Sequence, residues 1–74
     1  MKISEVKTLL ERGCSVEVDA KELSMNDAMT LATAAYEGKS TLTLVGSFSF
    51  ETMERLAIVA DGHISIKNLT IESD

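Results

Sequence analysis

Three times within 74 residues this chain returns to one unit: a small hydroxyl residue, a helical apolar stripe, a glycine, and a short strand of alternating apolar residues. The units open at Ile3, Met25 and Phe50, and a truncated fourth opens at Ile71. Aligned there, KISEVKTLL, SMNDAMTLA, SFETMERLA and TIES place like residues in like columns, at intervals of 22, 25 and 21 residues. A period of that length is the sequence mark of stacked repeats, in which each unit buries its apolar face only against its neighbours. The units divide the chain into repeats at about 2–23, 24–48 and 49–69, with 70–74 as the truncated unit, all in one α/β domain.

The helical stretches carry apolar residues at i, i+3, i+6 and i+7: Ile3, Val6, Leu9, Leu10; Met25, Ala28, Leu31, Ala32; and Phe50, Met53, Leu56, Ala57. Each set forms one helix face. Stacking predicts shared columns, among them Leu9 with Leu31 and Leu56, and Leu10 with Ala32 and Ala57. Ser24, Ser49 and Thr70 precede the first apolar position and suit N-caps, while Leu23, Phe48 and Leu69 suit the preceding staple position. Gly13, Gly38 and Gly62 stand near the far ends, where left-handed backbone is expected. The predicted helices are 3–12, 25–37 and 50–61.

SVEVD (15–19), TLTLV (41–45) and HISIK (63–67) alternate with period two and read as strands. Val16, Val18, Leu42, Leu44, Ile64 and Ile66 would face the helices. Strands joined through single helices run parallel with right-handed crossovers. The expected fold is therefore a short two-layer α/β solenoid of three helix-strand repeats. Its parallel three-stranded sheet lies in order 1-2-3, with all helices on one face. Because the strands are apolar on one side only, the other sheet face should be open and polar.

TLTLVGS and HISIKNLT resemble degenerate forms of the LxLxxN strand segment of leucine-rich-repeat proteins, with Asn68 as the candidate ladder asparagine. That resemblance implies recognition of partners through the sheet face. Small proteins made of a few such units are also similar to products of phages and other mobile elements.

Twelve acidic and seven basic residues give a net charge of -5. With no Lys/Arg cluster, direct nucleic-acid binding is not expected. The N-terminal MKISEVKTLLERG lacks the apolar run of a signal peptide or membrane span, so no membrane association is expected. The single cysteine, Cys14, cannot form an internal disulfide, which fits a reducing, cytoplasmic setting.

Cys14 and His63 each stand at the start of a strand, two repeats apart, so a nucleophile-base pair is not expected. One cysteine and one histidine cannot make a zinc set, and the dispersed glycines form no phosphate-binding loop. Neither cofactor nor metal is expected, and the chain reads as no enzyme.

The expected function is a non-enzymatic protein-protein interaction module, an inhibitor or adaptor, binding a protein partner through its open sheet face or the stack ends. The candidate sheet-face residues are Glu17, Asp19, Thr41, Thr43, His63, Ser65 and Lys67. The alternative is an acidic decoy that occupies the nucleic-acid-binding groove of a partner, as a DNA mimic or anti-defence inhibitor. Leu69 and Ile71 are expected to fold over the end of the core or to bury against a second subunit, and a homodimer is the favoured form. A chain this short buries only about 60 to 65% of its unfolded surface, so added contact area would help it.

Overall fold

Caps and hydrophobic periods place the elements, and the computed structural model describes residues 2–67 and 71–72. Helix α1 (Ile3–Glu11) leads into strand β1 (Val16–Asp19), a 3-10 turn (Ala20–Glu22), and helix α2 (Met25–Gly38). Strands β2 (Leu42–Val45) and β3 (Phe48–Ser49) follow, then helix α3 (Phe50–Ala60), β4 (Ile64–Lys67) and β5 (Ile71–Glu72). The broad expectation of an α/β fold with three helices and a parallel sheet holds. Helix starts agree with the sequence reading because their cause is local. Ser24 Oγ accepts the Asp27 N–H at 3.1 Å while Asp27 Oδ2 accepts the Ser24 N–H at 3.4 Å, a reciprocal capping box. Ser49 Oγ accepts the Thr52 N–H at 3.2 Å. Thr70, Leu69 and Asn68 lie outside the described residues.

In the main sheet β1 pairs with β2 and β2 with β4, both parallel, with Val16 opposite Leu42 and Leu42 opposite Ile64. The sheet order is β1-β2-β4, in which the three predicted strands are neighbours; the order 1-2-3 made no provision for Phe48–Ser49, which forms a strand of its own and enters a second parallel pair with β5. The core joins Val18, Leu42 and Leu44 of the sheet with Val6, Leu10, Ala28, Leu31, Ala32, Ala35, Leu56 and Ala60 of the helices. Aliphatic side chains fill it, and its largest fully buried members are leucines 10, 31, 42, 44 and 56.

The expected solenoid of three helix-strand repeats is not supported, and the resemblance to leucine-rich-repeat proteins falls with it. The units differ in length: α1, α2 and α3 have 9, 14 and 11 residues. Their ends are closed alike, by Cys14 N–H to Leu9 C=O (2.9 Å), Ser40 N–H to Ala35 C=O (3.0 Å) and Gly62 N–H to Ala57 C=O (3.3 Å). Those acceptors lie 26 and then 22 residues apart, as do the paired strand residues Val16, Leu42 and Ile64, whereas the helix starts at 3, 25 and 50 lie 22 and then 25 apart. The extra turn of α2 therefore breaks any register that would align whole units.

The predicted columns fail for a second reason. Helix α2 packs between α1 and α3 and buries both flanks, while each outer helix has one neighbour. Leu31 and Leu56 are fully buried, but Leu9, their expected column mate, is 46% exposed. Leu10 and Ala32 are buried and Ala57 is exposed. Gly38 also departs from expectation: it closes α2, and the left-handed position falls to Lys39 at φ 54°.

Candidate functional site

Alternation along the strands places the predicted sheet-face residues together. Glu17, Thr43 and Ser65 form one row across β1, β2 and β4, and Asp19, Val45 and Lys67 form the next. Glu17, Asp19, Ser65 and Lys67 are exposed, while Thr41, Thr43 and His63 are half-buried.

The charges on this face are engaged within the chain. Lys67 Nζ reaches over the central strand to Glu17 Oε1 at 2.8 Å, joining the two outer strands. Asp19 Oδ1 accepts the Lys21 N–H at 2.9 Å and starts the 3-10 turn. His63 Nδ1 lies 3.0 Å from the Ser40 carbonyl oxygen. A carbonyl only accepts, so this nitrogen carries the proton and donates it. The His63 ring meets Tyr36 edge-on, with centroids 6.4 Å apart. Cys14 is exposed. Leu69 lies outside the described residues, as does the Ile71 side chain, although the Ile71 backbone pairs with Phe48.

The stack ends were named from the sequence as a candidate surface, but the residues exposed on the helices there were not. On the outer flank of α3, Phe50 is 62% and Ile58 73% exposed. With Glu54 and Ala57, also exposed, they span an arc of roughly 100° on one helix face. On the outer flank of α1, Leu9 joins Ser4, Glu5 and Thr8 around a shallow depression of about 540 Å³. Ile58 itself was the available signal, being a large aliphatic residue off the repeated stripe.

A second depression, about 470 Å³, lies beside Ala20, Lys21, Gly46, Ser47 and Phe48 at the carboxyl ends of β1 and β2. Parallel sheets bind ligands beyond the carboxyl ends where strand order reverses. The order β1-β2-β4 contains no reversal. Among the described residues no three His, Cys, Asp or Glu side chains group to hold a metal ion, and no helix is long and apolar enough to cross a membrane.

No family model, no curated protein and no solved structure matches this chain. The leucine-rich-repeat resemblance thus has neither sequence nor geometric support, and the likeness to mobile-element products has none from these comparisons.

Proposed function

We propose that this chain is a non-enzymatic protein-interaction module that engages its partner through an end of the helix layer, at the outer flank of α3. The observation that carries this reading is the exposure of Phe50 and Ile58 together on one face of a short helix. Large apolar side chains grouped on the water side of a small domain favour docking against another protein. The open sheet face is the weaker docking surface, because its exposed residues, Glu17, Asp19, Ser65 and Lys67, are small or charged and offer no large apolar side chain to bury.

Magnitudes set the strength of such contacts. Full burial of a Phe or Ile side chain contributes about 1.5–3 kcal/mol, against about 4–15 kcal/mol lost on association. The two residues anchor an interface and do not suffice for one, so binding of moderate strength with a polar rim is expected.

A photo-crosslinking amino acid placed at position 58, or at position 43 on the sheet face, tests the reading in cells that make the protein. Protein adducts from position 58 and none from position 43 are expected. The reverse pattern would move the interaction to the sheet, and adducts from neither position would overturn it. Binding that weakens steeply with salt and is competed by DNA would favour the acidic decoy instead.

A further inference from the structure

Resting on that reading, we infer that the partner docked on α3 is a second copy of this chain, joined head to tail so that its α1 continues the helix layer and its β1 continues the sheet. Four observations point the same way.

The first is helical phase. The backbone carbonyls of Leu10 and Glu11 at the end of α1 come against Gly38 of α2, and Val6 and Leu10 are the buried side chains of α1, the helix that packs on α2. Around the helix axis, the bare flank of α3 corresponds to the flank of α1 that faces α2. The bare flank of α1, with Glu5, Leu9 and Arg12, corresponds to the flank of α2 that faces α1. Docking α1 of a second copy on α3 therefore repeats the kind of contact already made twice within the chain.

The second is the backbone at the sheet edges. Val16 donates its N–H to Thr41 and Leu42 donates to His63, each at 3.1 Å and each toward the following strand. By the same alternation the Ile64 N–H points to the edge of β4 that no other described strand pairs with, and the Ser15 carbonyl, counterpart of Thr41 and His63, points to the corresponding edge of β1. The two edges have complementary donors and acceptors for a parallel strand.

The third is charge. The α1 end carries Lys2 and Arg12 against one acid, Glu5, and the α3 end carries Glu54 and Asp61; none of the five has an ion-pair partner among the described residues. Continued in the same register, β4 would also place Lys67 beside Asp19 of the next copy.

The fourth is surface character. A shallow depression beside Leu9 lies at one end, and the exposed apolar side chains Phe50 and Ile58 lie at the other. Two different surfaces in mutual contact make a heterologous interface, which builds open chains and leaves one free surface at each terminus.

The test uses the full chain and two exposed substitutions, Leu9→Glu and Ile58→Glu, each checked for native fold by circular dichroism. In sedimentation velocity, the wild-type mass is expected to rise past that of a dimer over a roughly hundredfold range of concentration. Each variant alone should associate at least about tenfold more weakly. Mixed, the two should form a one-to-one dimer, because each retains the surface that the other lacks. Arg12→Glu, a second block on the α1 side, should behave as Leu9→Glu does.

A wild-type chain that stays monomeric throughout would overturn the inference. So would loss of association in Ile58→Glu with full retention in both Leu9→Glu and Arg12→Glu, which describes a closed pairing through α3 alone. Adducts from position 58 to an unrelated protein, with a monomeric chain, would sink this inference and leave the interaction-module reading standing.

Discussion

Gly38 shows how one residue governs a helix contact. A Cβ built there would lie 1.8 Å from the Leu10 carbonyl oxygen and 2.8 Å from the Glu11 carbonyl carbon and oxygen. All three are backbone atoms, so no side-chain rotation relieves the clash. Gly38→Ala is expected to destabilise the fold by about 1–3 kcal/mol or more, read as a lower denaturant midpoint. Its neighbour behaves oppositely. Lys39 occupies left-handed backbone at φ 54°, a conformation that costs a side-chain-bearing residue about 1–2 kcal/mol. Lys39→Gly should therefore stabilise the fold by roughly 0.5–1 kcal/mol, read as a higher midpoint, after the extra chain entropy of glycine is deducted. Ser40 completes the junction: it is 3% exposed and donates its hydroxyl to the Leu10 carbonyl at 2.8 Å. The glycine was visible in the sequence, but its role was not, since a helix-closing glycine and a close-approach glycine look alike until the neighbouring chain is in place.

At the scale of elements, Leu9 and Leu31 occupy the same position of the repeated stripe and have opposite environments. Leu31 lies in the central helix and is fully buried, whereas Leu9 lies on the bare flank of an outer helix. Leu31→Ala is expected to cost about 2–5 kcal/mol and Leu9→Ala less than about 1 kcal/mol, measured by equilibrium unfolding in urea. Equal losses would contradict the packing described. Helix starts were legible because a cap and its recipient lie within three residues, as Ser24 and Asp27 do. Ser24→Ala should accordingly cost about 1 kcal/mol.

For the whole molecule, the open sheet face is closed electrically and stays open sterically. The Glu17–Lys67 pair crosses the full sheet, but its side chains are 54% and 60% exposed, and exposed pairs contribute only about 0–1 kcal/mol. Lys67→Ala should lower stability within that range, and the difference should vanish near ~1 M salt, where the screening length falls to about 3 Å. Retention of the full difference at high salt would mean that Lys67 stabilises through packing of its stem. The sheet-face rows were readable from strand alternation and parallel order. The ion pair was not, since Glu17 and Lys67 are fifty residues apart in sequence and meet only through the pairing of both strands with β2.

By itself the sequence determined what short-range chemistry controls: where helices begin, which segments are strands, and which strand face is apolar. Each rests on hydrogen bonds or side-chain periods confined to a few residues. Only the tertiary structure decided which helix flank is bare, how β3 and β5 pair, and which charges neutralise one another. Burial belongs to neighbours rather than to a residue's own segment, so the stripe is buried except at Met25 in α2, while in α1 and α3 part of it, Leu9, Phe50 and Ala57, is exposed.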